Sequence, residues 1–88
     1  MNVRYFAAAR AAAGVEEEQF DLPAGATVES LLEAVLAVDR PAPPAGTPPL
    51  PRILSRSSFL LNEVAVRDRS VALGPGDVLD VLPPFAGG

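Results

Sequence analysis

One amphipathic helix constrains the fold of this chain more than any other feature. Thr27 can cap its start, and Glu29 lies in the first turn, where the helix dipole favours a negative charge. The apolar side chains recur at helical spacing and are Val28, Leu31, Leu32, Val35 and Leu36. This pattern predicts a helix over residues 28–38 with a single apolar stripe. Such a stripe must be covered by a sheet or by other helices.

Short segments with strand patterning lie on both sides of this helix. They are predicted at residues 2–6 and 17–22 before it, and at 58–62, 64–66 and 78–82 after it. The economical arrangement is an α+β roll with a mixed sheet of four to five strands and one main helix on one face. The last strand would lie beside the first and parallel to it.

The two faces of this predicted sheet have different roles. Four residues are expected to face the helix: Val3, Tyr5, Leu79 and Val81. Phe6 and Leu82 would lie on the open face as exposed apolar groups, which is typical of a docking surface. Alternatively, Phe6 packs against residues 7–13, an alanine-rich turn or short helix that stops at Gly14. The acidic residues 16–18 are expected to form a solvated edge that discourages strand addition.

The chain is predicted to form one domain, residues 1–82, followed by a tail, residues 83–88. Residues 40–51 contain too many prolines for a helix or a central strand, so they are interpreted as a surface loop. A polyproline segment that binds an aromatic groove is the alternative. Residues 51–55 can add one helical turn after the loop.

Composition excludes several function classes. The 88 residues have a net charge of -4, with no histidine and no cysteine, and the seven basic residues are all arginine. Acidity disfavours nucleic acid as a partner, and no apolar run is long enough to span a membrane. A chain without His, Cys or Lys lacks the usual proton shuttle, thiol nucleophile and Schiff-base amine. We therefore expect no metal site and no autonomous enzyme. A cytoplasmic location is expected because residues 1–10 lack the charged-then-apolar pattern of a signal peptide.

The last six residues are predicted to form an arm that another protein binds. Pro83 and Pro84 cannot continue a sheet ladder, so a strand must stop at Leu82. Gly87 and Gly88 carry no side chain, which lets the terminus enter a narrow channel and lets a nucleophile approach its carbonyl carbon. In this chain the terminal carboxylate is the most plausible reactive group.

Four stretches carry a resemblance to a known family: VRYFAAARAAAG, ATVESLLEAVL, FLLNEVAV and GPGDVLDVLPPFAGG. They resemble the small subunit of molybdopterin synthase within the MoaD/ThiS family of ubiquitin-like sulfur carriers. The likeness covers the whole chain apart from the proline-rich loop. It implies the β-grasp, or ubiquitin-like, fold, which agrees with the roll described above.

The resemblance also implies a function in which the chain's own terminus reacts. A separate MoeB-like enzyme would adenylate Gly88 with ATP, and the product would be converted to a thiocarboxylate. The tail would then enter a MoaE-like large subunit, in a heterotetrameric synthase, and give its sulfur to the cyclic pterin precursor of the molybdenum cofactor. The chain itself would bind no cofactor.

Individual residues take roles from this resemblance. Gly87 and Gly88 would be the reactive pair, and the partner-binding residues would be Phe6, Arg10, Leu82, Pro83, Pro84 and Phe85. Arg10 is alternatively a solvated charge. Two other functions stay open: a sulfur carrier for another pathway, such as thiamin thiazole or cysteine synthesis, or a non-catalytic ubiquitin-like interaction module.

Overall fold

Five strands and three helices make up the part of the chain that the computed structural model describes, residues 1–84. In chain order they are β1 (Asn2–Tyr5), α1 (Ala7–Ala13), β2 (Glu17–Gln19), α2 (Val28–Ala37), α3 (Leu50–Arg56), β3 (Ser58–Leu61), β4 (Val64–Ala65) and β5 (Val78–Leu82). The predicted site residues Phe85, Gly87 and Gly88 lie outside the described residues.

The strands form one mixed sheet in the order β2-β1-β5-β3-β4. β5 occupies the centre, parallel to β1 and antiparallel to β3. β2 and β4 form the two edges and pair antiparallel with their neighbours. The predicted α+β roll, with first and last strands side by side, is confirmed.

The core lies between one face of this sheet and the helices. Strand residues Val3, Leu79 and Val81 are fully buried, and Tyr5 is almost so. They share one apolar cluster with side chains from all three helices, among them Ala9, Ala12, Ala13, Val28, Leu31, Leu32, Val35, Leu50, Ile53 and Leu54. All three helices therefore cover the same face and leave the other face of the sheet open.

The predicted helix is α2, and its cap is more complete than the sequence indicated. Thr27 Oγ1 accepts a hydrogen bond from the Ser30 amide, and Ser30 Oγ accepts one from the Thr27 amide, both at 3.2 Å. Leu36, predicted to belong to the buried stripe, is 45% exposed. It lies about 80° around the helix from Val28, at the margin of the stripe, because successive residues turn by about 100°.

Several other boundaries differ from the predictions; α2, β3 and β4 each end one residue earlier than predicted. β1 stops at Tyr5, and β2 stops at Gln19, because Gln19 pairs with Asn2, the first residue of β1. The proline-rich loop ends at Pro49, because α3 begins at Leu50 and runs to Arg56. Pro51 fits within α3 since the amides of the first turn need no partner inside the helix.

Arg40 holds the start of the proline-rich loop to the sheet. Its guanidinium donates two hydrogen bonds to the Glu18 carboxylate, at 2.7 and 2.9 Å. It also donates to the carbonyls of Ala13 and Val35 and lies 3.4 Å from the Tyr5 hydroxyl. The prediction of a fully solvated acidic edge is therefore wrong for Glu18, because a long-range partner lies beside it.

Both titratable partners of Arg40 have shifted pKa values. Burial, followed by the hydrogen bond to Glu18, raises the pKa of the Tyr5 hydroxyl far above its ordinary value. Burial acts to raise the pKa of Glu18 as well, but the hydrogen bonds from Arg40 and Tyr5 outweigh it and lower that pKa. The carboxylate thus stays ionised beside the guanidinium.

Within residues 1–84, no helix combines the length and the apolar character that crossing a membrane requires.

Candidate functional site

The open face of the sheet carries two of the residues that were predicted to bind a partner, Phe6 and Leu82. Strand pairing aligns Asp80 of β5 with Arg4 on one side and Leu60 on the other. The adjacent row contains Leu82, which pairs with Ser58. We call Phe6, Leu60 and Leu82 the docking face, because they are apolar side chains of the open face in the row of Asp80 and in the row next to it, toward the start of the tail.

Phe6 is 40% exposed, and the bend that follows it explains why. Its backbone is extended, and its amide still reaches the Val81 carbonyl at 3.3 Å, which places Phe6 next to Leu82. Ala7 then has a φ of 49°, a left-handed conformation that is uncommon for any residue except glycine. This reversal starts α1 directly, and Phe6 is not part of the buried apolar cluster.

Leu82 is less exposed than the sequence predicted. It is half-buried because β5 has a neighbouring strand on each side, β1 and β3. Leu60 is half-buried as well and was not identified from the sequence. The signal that could have found it is the alternation in β3, where Phe59 is buried and Leu60 therefore points to the open face.

An ion pair lies at the centre of the open face. Arg4 donates to both oxygens of Asp80, through Nε at 2.5 Å and through a terminal nitrogen at 2.8 Å. The Asp80 side chain is 8% exposed, whereas Arg4 is 40% exposed. Such a two-bond pair fixes the guanidinium plane while leaving donors on Arg4 directed to solvent.

Arg10 lies beside Phe6 but is not tightly held. Its only carboxylate partner among the described residues is Glu16, at 3.3 Å, and both side chains are more than half exposed. A surface pair of this kind is weak. Arg4, Phe6, Arg10 and Glu16 line a shallow hollow of about 410 Å³. The Arg10 guanidinium therefore stays largely accessible from outside the molecule.

The root of the tail lies along a second hollow, which we call the tail-root groove. Pro83 and Pro84 line one side of this space of about 540 Å³. The remaining lining comes from α1, from the end of the proline-rich loop and from α3: Ala7, Ala8, Ala11, Gly46, Thr47, Pro48, Arg52, Ile53 and Arg56. The sequence indicated neither this groove nor the nearness of the loop to the tail, since both depend on contacts distant along the chain.

Residues 1–84 contain no cluster of three or more acidic, histidine or cysteine side chains that could hold a metal ion. The described site consists of an apolar docking face, charged groups around it, and the start of the tail.

Known proteins resemble this chain over its whole length. It is 36% identical to the molybdopterin synthase sulfur carrier subunit of Chlamydomonas reinhardtii, with 100% of this chain and 98% of that protein covered. Among solved structures, SAMP1 from Haloferax volcanii superposes with a TM-score of 0.78 at 26% identity, over 100% of this chain and 98% of the other.

A Pyrococcus furiosus protein described as molybdopterin converting factor, subunit 1, superposes with a TM-score of 0.71 at 27% identity, covering 96% of this chain and 95% of that one. These neighbours confirm the β-grasp fold predicted from the sequence. The model of the ThiS family matches residues 3–88, which includes the terminal glycines. The chain therefore belongs to the ThiS family of proteins.

Proposed function

We propose that this chain is the sulfur carrier subunit of a molybdopterin synthase and that the Gly88 carboxylate is the group that carries the sulfur. The observation behind the proposal is the extent of the similarity: a molybdopterin synthase sulfur carrier subunit matches the entire chain, and the family match reaches Gly88. The carrier acts in the molybdenum cofactor pathway, and we expect it in the cytoplasm.

The chemistry of a carboxylate explains why a carrier needs other enzymes. A carboxylate resists nucleophiles until one oxygen becomes a good leaving group. In the proposed reaction the Gly88 carboxylate attacks the α-phosphorus of ATP and releases pyrophosphate. A sulfur nucleophile then displaces AMP and leaves a thiocarboxylate. This chain contains no histidine, cysteine or lysine, so the side chains for these steps come from a MoeB-like adenylating enzyme.

The second partner is a MoaE-like large subunit that receives the charged tail. The docking face lies at the end of β5, so a protein that covers Phe6 and Leu82 also lies next to Pro83 and Pro84. From Leu82 to Gly88 the chain can reach about 20 Å. That length suffices to cross from the docking face into a partner's active site, where the sulfur passes to the cyclic pterin precursor. Two carriers and two large subunits would form the heterotetramer.

Intact mass measurement tests the carrier function. The chain is incubated with the adenylating enzyme, Mg-ATP and a sulfur donor. We expect a mass gain equal to the replacement of one oxygen by one sulfur. The matched control is the chain without Gly88, which should fold normally but gain no mass, because a terminal residue contributes little to the core. No mass gain with an enzyme that is active on another carrier would refute the proposal.

The pathway is tested by what the loaded carrier supplies. With a MoaE-like large subunit and the cyclic pterin precursor, the thiocarboxylate form should yield molybdopterin. A loaded carrier that supplies only a thiazole or cysteine synthase would instead favour the alternative pathway. A chain that binds partners but never becomes loaded would favour the interaction module.

A further inference from the structure

Two arginines on the tail-root groove have no acidic partner in the described part of the chain. Four of the seven arginines, Arg4, Arg10, Arg40 and Arg69, pair with carboxylates of residues 1–84. Arg52, Arg56 and Arg67 do not, although the chain has an excess of acids. Arg52 and Arg56 are both exposed and lie one helical turn apart in α3, where two like charges destabilise a helix.

The groove beside these arginines combines a cationic rim with an apolar wall. The alanines of α1 and the buried Ile53 provide apolar surface, and Pro48 adds the end of the proline-rich loop. Pro83 is half-buried along the groove, and Pro84 is exposed. A protein that covers this groove at the root of the tail therefore also comes close to Arg52 and Arg56, which line it with Pro83 and Pro84.

The occupant that fits this surface is an acidic polypeptide segment with an apolar residue. Carboxylates of the segment would pair with the two guanidinium groups, because no acid of residues 1–84 occupies them. The apolar residue would contact the alanines of α1. A free phosphate group fits less well, because the groove is open and its apolar lining makes no favourable contact with an anion. The phosphates of ATP are also needed elsewhere, because adenylation would occur at Gly88, up to about 14 Å beyond Pro84 in an extended chain.

We propose that Arg52 and Arg56 of α3 form, with the tail-root groove, a second contact site that takes an acidic segment of the large subunit into which the tail inserts. The inference rests on the proposed function and adds to it a surface separate from the docking face. It assigns to α3 the role of drawing the partner toward the root of the tail before the tail enters.

Charge reversal tests this site. R52E and R56E are made singly in the full chain, and R67E serves as the matched control because Arg67 is also exposed and lacks an acidic partner among residues 1–84. Association and dissociation rates with the MoaE-like large subunit are measured by biolayer interferometry. We expect R52E and R56E each to slow association about five-fold at about 50 mM salt, with a smaller effect at about 500 mM, because screening weakens exposed charge pairs. R67E should stay within about two-fold of the unsubstituted chain.

The outcomes separate this inference from the function on which it rests. If the unsubstituted chain binds the large subunit and gains sulfur, but R52E and R56E behave like R67E, the contact site is wrong and the carrier function stands. If the unsubstituted chain neither gains sulfur nor binds, both are wrong.

Three further experiments keep the result interpretable. Thermal unfolding of each variant checks that α3 is intact. R52Q and R56Q, which remove charge without reversing it, should show the same effect at smaller size. A titration with inorganic phosphate, monitored by NMR of the arginine side chains, tests whether the site binds a small anion instead of a polypeptide. Saturable shifts at Arg52 and Arg56, together with unchanged binding of the large subunit by the variants, would overturn the proposal.

Discussion

Replacing Arg40 with methionine tests what holds the proline-rich loop to the sheet. Methionine keeps an unbranched apolar stem but removes every donor of the guanidinium. The Arg40 side chain is 11% exposed and the Glu18 side chain 20% exposed, so little water replaces the lost bonds. The substitution leaves the Glu18 carboxylate with the Tyr5 hydroxyl at 2.7 Å as its remaining side-chain donor.

The expected loss of stability follows from these contacts. Hydrogen bonds to charged groups contribute about 1.5–3 kcal/mol, and breaking a fully buried ion pair costs about 3–5 kcal/mol. Glu18 can regain some hydration, and the Val35 carbonyl keeps a second partner, the Val38 amide. We therefore expect Arg40→Met to lower the free energy of unfolding by about 2–3 kcal/mol. That is a large part of the roughly 4–13 kcal/mol expected for a domain of this size.

Urea unfolding followed by circular dichroism measures this loss, and Arg67→Met is the control for removing an exposed arginine. The double variant with Glu18→Gln should lose less than the sum of the single variants, because the two residues act on each other. Because folding lowers the pKa of Glu18, its ion pair contributes fully to stability above the pKa that Glu18 has in the unfolded chain. That contribution disappears as the pH falls through the lower pKa of the folded chain. The difference between Arg40→Met and the parent should thus shrink below roughly pH 4. A loss equal to that of Arg67→Met would refute the reasoning.

Three further predictions concern single side chains. Tyr5 is the sole tyrosine, so ultraviolet absorbance reports its ionisation alone and should show none near pH 10 in the folded chain. The free energy of unfolding should decline as the pH rises above that value, and an ordinary titration near pH 10 would contradict the raised pKa. Phe6→Asp should weaken binding to the large subunit by more than about 1 kcal/mol, with a smaller effect on unfolding, whereas Val64→Asp, exposed on the edge strand β4, should leave binding unchanged. Leu36→Ala should cost under about 0.5 kcal/mol in urea unfolding and Val35→Ala about 2 kcal/mol; equal costs would place Leu36 in the core.

The sequence predicted the sheet and the main helix because both depend on local patterns. The alternation of apolar and polar residues around Val3 and Tyr5 identified the inward face of β1. The apolar stripe of α2 identified the helix that covers this face. The position of β5 beside β1 followed from the need to bury that stripe. These inferences required only periodicity and the rule that one apolar face must cover another.

The contacts that position the site could not be predicted in the same way. Arg40 lies 22 residues from Glu18, and no local pattern connects a loop arginine to one carboxylate among three. The tail-root groove requires α3, and prolines at positions 49 and 51 suggested at most one helical turn. Leu82 was expected to be exposed, but its burial depends on having strands on both sides, which only the complete sheet order determines.

The central place of β5 has a consequence for how the chain is made. β1 and β3 both pair with β5, yet β5 follows every other strand of this sheet along the chain. The sheet therefore cannot close until residues 78–82 have been synthesised, and pairing residues so far apart in sequence is slow. A chain that terminates early lacks the middle of its sheet and the glycines together. Unfinished products that lack β5 are thus open to proteolysis.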